Sequence, residues 1–118
     1  MEATFDKEAV LAEIKQQIED NDIILYMKGT PEMPQCGFSM RAVKILGACA
    51  QPFAYVNILE NPEIRATLPD YADWPTFPQL YIKGELIGGS DIIAELYEEG
   101  ELQEKLEDVG GAGAAPAA

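Results

Sequence analysis

Histidine is absent from the 118-residue sequence, and cysteine occurs only twice, at Cys36 and Cys49. Without histidine the chain cannot build a Cys–His nucleophile, and most zinc and haem sites are excluded. Two cysteines are too few for the disulfide scaffold of a small secreted protein. We therefore do not expect a mononuclear metal site made of protein ligands alone.

Positive charge and long apolar runs are also scarce. Eight basic residues oppose 21 acidic ones, and the resulting net charge of −13 repels phosphate backbones, so nucleic acid is not an expected partner. No apolar run approaches the roughly 20 residues of a membrane span, so no membrane association is expected. Residues 1–6 lack the basic segment of a secretory signal, which makes the cytoplasm the expected location.

Half of the basic residues nevertheless fall in the stretch around Cys36: Lys28, Arg41, Lys44 and Arg65. A locally positive site in an acidic protein would suit a small anionic ligand. The general acidity is explained more simply by solubility.

Apolar periodicity and turn residues predict the element order α-β-α-β-α-β-β-α. The predicted elements are a helix from an Asp6 cap to about residue 20, a strand over 23–27, a helix over 37–50, a strand over 53–58, a short helix over 62–68, strands over 79–82 and 85–87, a helix over 91–99, and a further turn or two over 101–108.

This order predicts an α/β fold. The helix between the first two strands makes a β-α-β unit with parallel strands, and Lys83-Gly84 predicts a tight antiparallel hairpin. The βαβ and ββα units together make a four-stranded mixed sheet flanked by helices, with an extra N-terminal helix. The pattern is typical of a thioredoxin-like fold, and a ferredoxin-like sandwich fits the same order. We expect one domain over residues 1–109 and a disordered Gly/Ala/Pro tail over 110–118.

Cys36 is predicted where the loop after the first strand meets the next helix. A helix N-terminus presents free N–H groups and a partial positive charge, which stabilise a thiolate. Ser39 stands where a redox Cys-x-x-Cys motif has its second thiol, and Cys49 is about 20 Å further along the predicted helix, too far for a disulfide. We interpret Cys49 as a core residue. Cys36 is either a buried structural cysteine or a reactive thiol that needs a thiol from outside.

Four segments, in order and at compatible spacing, resemble the signatures of the CGFS monothiol glutaredoxins: Lys28-Gly29-Thr30-Pro31, Cys36-Gly37-Phe38-Ser39, Trp74-Pro75-Thr76-Phe77-Pro78 and Gly88-Gly89-Ser90-Asp91. The resemblance covers roughly residues 8–107 and implies the thioredoxin-like fold. It also implies that Cys36 is the catalytic and metal-ligating thiol. Trp74 we interpret as core packing that shapes its loop.

The resemblance further implies a glutathione site made of Lys28, Arg65, Phe77, Pro78, Ser90 and Asp91. The Phe77-Pro78 bond is implied to be cis, so that the backbone of the preceding residue pairs with a peptide-like ligand. Lys28 and Arg65 are implied to meet the glycyl carboxylate, and Asp91 the γ-glutamyl ammonium. Each also has a plainer interpretation: an ordinary trans proline, exposed charges, and an N-cap at Ser90-Asp91.

Two functions are consistent with one thiol and bound glutathione. The first, which the family resemblance implies, is a carrier whose labile [2Fe–2S] cluster bridges a homodimer, held by Cys36 and glutathione from each subunit and passed to apo iron–sulfur acceptor proteins, with BolA-type proteins as further partners. The second is a glutathione-dependent thiol–disulfide oxidoreductase with Cys36 as sole nucleophile. We favour the carrier and expect at most weak enzymatic activity. A pure adaptor is the third alternative, disfavoured because four ligand-site motifs would be idle.

Overall fold

A computed structural model describes residues 6–49 and 51–107. Within them, five helices and four strands follow one another as α1 (Lys7–Asp20), β1 (Ile23–Met27), α2 (Gly37–Ala48), β2 (Ala54–Asn57), α3 (Pro62–Ala72), β3 (Gln79–Ile82), β4 (Glu85–Gly88), α4 (Ser90–Glu98) and α5 (Glu101–Glu107). The predicted order of elements is confirmed. The predicted tail over 110–118 lies outside the described residues.

The four strands form one mixed sheet in the order β2-β1-β3-β4. Strand β1 pairs with β2 in parallel and with β3 antiparallel, and β3 pairs antiparallel with β4. This topology is thioredoxin-like, so the ferredoxin-like alternative is wrong. The hairpin between β3 and β4 turns at Lys83 and Gly84, whose φ angles of 52° and 83° are both positive, as a two-residue type I′ turn requires.

Strand β1 lies at the centre of the core and is buried along its whole length. Because successive side chains of a strand point to opposite faces, it contributes to two apolar clusters. Ile24 and Tyr26 pack with α1 and α3, whereas Ile23, Leu25 and Met27 pack with α2, α4 and α5. The continuous apolar run is therefore explained by helices on both faces of the sheet.

Helix α3 is one turn longer than predicted. We predicted its end at Leu68, but the helix continues through Pro69 to Ala72, and the residue that follows it, Asp73, is in the left-handed region with φ 52°. Proline removes one N–H donor, and burial of Leu68 against the sheet holds the helix in place despite that loss. No helix among residues 6–49 and 51–107 is long and apolar enough to cross a bilayer.

Candidate thiol site

A cavity of about 520 Å³ opens beyond the carboxyl end of β1, at the edge where ligands of open α/β sheets collect. Its wall contains every residue predicted for the site: Lys28, Cys36, Arg65, Phe77, Pro78, Ser90 and Asp91. These residues come from five separate segments of the chain. The structure therefore brings the predicted set together at one place.

The loop that precedes Cys36 is tightly folded. Gly29 has a φ of 96°, and a Cβ atom there would lie 2.5 Å from the Met33 carbonyl oxygen. Gly29 forms an isolated bridge with Pro34, and the Gln35 N–H donates to the Lys28 carbonyl at 2.9 Å. Only glycine fits this position, because the chain folds back on its own backbone here.

Two side chains from other elements hold the segment that carries Lys28. The Lys28 N–H donates to the Ser39 hydroxyl at 3.1 Å, and the Gly29 N–H donates to Asn57 Oδ1 at 2.9 Å. Asn57 Oδ1 also accepts from the Leu59 N–H at 3.0 Å. Sequence reasoning missed Asn57. The sequence feature that could have predicted its role is its position, a polar residue at the carboxyl end of β2, next to the end of β1.

Cys36 is the N-cap residue of α2 and is partly exposed. Burial raises the pKa of its thiol, but hydrogen bonds from the Ser39 and Phe38 backbone N–H groups, the Ser39 hydroxyl and the charge of Lys28 together outweigh burial, so the net pKa is lowered. Ser39 occupies the position of the second cysteine in a Cys-x-x-Cys motif, and its hydrogen bonds stabilise the Cys36 thiolate. The N-terminus of α2 is suited to a reactive Cys36.

Cys49 is in a different environment. It follows the last residue of α2, is partly buried, and packs against the apolar cluster of α2, α4 and α5. Burial raises the pKa of its thiol. Both cysteines are free, so no internal disulfide forms between them. Cys49 therefore packs at the edge of the core and is not a fully buried core residue as we had interpreted it.

The Phe77–Pro78 peptide bond is cis, as the resemblance implied. The loop before it is held by Gln79, a fully buried side chain whose amide donates to the Trp74 carbonyl at 3.1 Å and to the Thr76 carbonyl at 3.2 Å. Trp74 itself lines the cavity and is only half-buried, so it forms part of the site wall as well as shaping its loop.

Opposite charges line the cavity around Cys36. Lys28 and Arg65 contribute cations, and Asp91, in the first turn of α4, contributes a carboxylate. Among the described residues, no group of three or more Cys, Asp or Glu side chains is placed to hold a metal ion. The two cations and the carboxylate that line the cavity can receive a small ligand that carries both anionic and cationic groups.

Comparison with known proteins gives the family. The glutaredoxin family model matches residues 23–87. The chain is 57% identical to Glutaredoxin 4 of Escherichia coli strain K12 over 98 residues, which are 83% of this chain and 85% of that protein. It is 68% identical over 85 residues to the probable monothiol glutaredoxin GrlA of Legionella pneumophila, across 72% of this chain and 96% of the relative. The chain belongs to the monothiol glutaredoxins.

The fold of this glutaredoxin is likewise that of its family. The solution structure of reduced apo GrxS14 from poplar superposes with a TM-score of 0.74 at 48% sequence identity, covering 86% of this chain and 93% of that one. Both the thioredoxin-like fold and the single-thiol family inferred from the four motifs are thereby confirmed. The roles of the cavity residues in ligand binding stay a prediction.

Proposed function

We propose that this glutaredoxin binds glutathione in the cavity and carries a labile [2Fe–2S] cluster between two subunits, for delivery to apo iron–sulfur acceptor proteins. The observation that carries the proposal is the arrangement at Cys36. One thiol with a lowered pKa faces a cavity with two cations and a carboxylate, while Cys49 packs in an apolar cluster instead. Such a site is built for one protein thiolate and one charged thiol ligand.

Glutathione has the groups that this cavity can pair. Its glycyl carboxylate suits Arg65 and Lys28, because a guanidinium offers a fork of N–H donors and an ammonium a point charge. Its γ-glutamyl ammonium suits the Asp91 carboxylate beside Ser90. Its peptide backbone suits the main chain at the cis Phe77–Pro78 bond, and Cys36 lines the same cavity for the ligand's thiol.

The cluster is the cargo rather than a resident cofactor. A [2Fe–2S] cluster takes four thiolate ligands, and Cys36 is the cysteine that lines the cavity among the described residues. Two subunits, each with Cys36 and one glutathione, supply all four. Because glutathione is not part of the chain, a cluster held partly by glutathione can be released. A BolA-type partner would replace one of the two subunits. A reducing cytoplasm keeps such thiols free.

A glutathione-dependent oxidoreductase is the second candidate, and the lowered pKa of Cys36 favours it. The Cys36 thiolate would attack the glutathione sulfur of a mixed disulfide and release the target thiol. A second glutathione thiolate would then attack the glutathionylated Cys36, regenerate its thiolate and leave as glutathione disulfide. The same cavity would serve both reactions.

Anaerobic reconstitution with iron, sulfide and glutathione separates the two functions. We expect a brown dimer on size-exclusion chromatography that forms only when glutathione is present. Cys36→Ser abolishes the colour, whereas the matched control Cys49→Ser keeps it, because Cys49 packs against the core. A colourless monomer that rapidly removes glutathione from a peptide disulfide would overturn the carrier and favour the enzyme.

A further inference from the structure

An ion pair sits at the rim of the cavity. Arg41 Nη1, on the outer side of α2, lies 3.4 Å from Asp91 Oδ1, in the first turn of α4. The Asp91 side chain is 88% exposed and that of Arg41 is 52% exposed, so both charged groups are open to a ligand. Asp91 lines the cavity, and the pair joins residues that are 50 positions apart.

The contact leaves binding capacity on both partners. It involves one of the two Asp91 carboxylate oxygens and one nitrogen of a guanidinium, a group that has five N–H donors in total. An exposed pair of this kind contributes little to folding stability. The rim therefore presents a cation and an anion side by side, both able to accept a further partner.

We propose that Arg41 and Asp91 together recognise the α-amino-acid end of the γ-glutamyl group, with Arg41 as the specificity-determining partner of its α-carboxylate. This inference rests on the proposed binding of glutathione. The γ-glutamyl group carries an ammonium and a carboxylate on one carbon atom. When Asp91 holds the ammonium, the carboxylate lies within reach of a guanidinium already in contact with Asp91.

The mutual placement of the four charges stabilises this arrangement. Each charge of the ligand faces the opposite charge of the protein. The two ion pairs then lie side by side with opposite polarity, and their dipoles attract each other. The N-terminus of α4 offers N–H groups and a partial positive charge to the α-carboxylate of the ligand. Arg41 adds a full positive charge beside them. A ligand with only the ammonium would instead meet repulsion from Arg41.

Two deletion analogues of glutathione isolate the contact. Glutaryl-Cys-Gly lacks the ammonium, and 4-aminobutanoyl-Cys-Gly lacks the α-carboxylate. Each is titrated, along with glutathione, into the reduced, ¹⁵N-labelled full chain, and dissociation constants are taken from amide shifts at the cavity. The variants are Arg41→Gln, the charge-keeping Arg41→Lys, and the matched control Lys44→Gln, which removes an equal charge one turn further along the exposed side of α2.

We expect Arg41→Gln to raise the dissociation constants of glutathione and of the glutaryl analogue by about two- to fivefold relative to Lys44→Gln, as for a solvent-exposed ion pair. Arg41→Gln should not weaken the binding of the 4-aminobutanoyl analogue. Arg41→Lys, which keeps the charge, should recover part of the lost affinity for glutathione. Equal weakening of all three ligands would mean that Arg41 only orients Asp91 and would overturn the proposal. Tighter binding of glutathione by Arg41→Gln would also overturn it, because Arg41 would then be a competitor for Asp91.

The proposed function fails separately from this inference. If glutathione shifts no cavity amide in the unmodified chain, both are wrong. If glutathione binds at the cavity and Arg41→Gln binds it as the control does, only the role of Arg41 is wrong.

Discussion

Replacing Gly29 by alanine tests how tightly the loop before Cys36 is folded. The new Cβ atom would lie 2.5 Å from the Met33 carbonyl oxygen and 2.7 Å from the Gln35 nitrogen, both backbone atoms that cannot rotate away. The φ of 96° adds strain for any residue with a side chain. Relief requires a backbone shift that breaks the 2.9 Å hydrogen bond from the Gln35 N–H to the Lys28 carbonyl.

The strain and the lost hydrogen bond together predict a loss of about 2–4 kcal/mol in the free energy of unfolding. Urea titration followed by fluorescence of the single tryptophan, Trp74, measures it. Gly47→Ala is the matched control, because Gly47 lies in α2 and an added Cβ there would meet nothing within 4 Å apart from its own helix backbone and chain neighbours. That variant should gain about 0.5–1 kcal/mol in stability. A Gly29→Ala protein as stable as the unmodified chain would refute the reasoning.

Because the pKa of the Cys36 thiol is lowered and that of the Cys49 thiol is raised, iodoacetamide should alkylate Cys36 at lower pH than Cys49, as mass spectrometry across pH would show. Ionisation of Cys36 should also add to the free energy of unfolding as pH rises from the lowered pKa of the folded chain to the ordinary thiol pKa of about 8.5. Identical alkylation profiles for the two cysteines would contradict the lowered pKa of Cys36. Asn57→Ala removes the acceptor of two loop N–H groups and should cost about 1–3 kcal/mol in urea unfolding; an unchanged midpoint would show that water replaces it. Tyr26→Phe deletes the 2.8 Å hydrogen bond from a buried hydroxyl to Gln17 and should cost about 0.5–1.5 kcal/mol by the same measurement, and an unchanged midpoint would contradict a stabilising role of this bond.

Local sequence was enough to predict most helices and strands and to single out Cys36 as the candidate reactive residue. The apolar run over Ile23–Met27 predicted the central strand, and Lys83-Gly84 predicted the hairpin, because strands and tight turns depend on neighbouring residues. The absence of histidine and the presence of serine at position 39 left Cys36 as the candidate reactive residue. These features need no knowledge of how the elements pack.

Only the tertiary structure decided the contacts between distant segments. The continuation of α3 through Pro69, the support of the Lys28 segment by Asn57, and the pairing of Arg41 with Asp91 could not be predicted from local pattern. Each depends on which surfaces meet when the helices pack on the sheet, and burial and geometry there override local preference. The sequence alone therefore identified the thiol and its expected ligand residues, and the packing of α2, α4 and the sheet determined the cavity in which they meet.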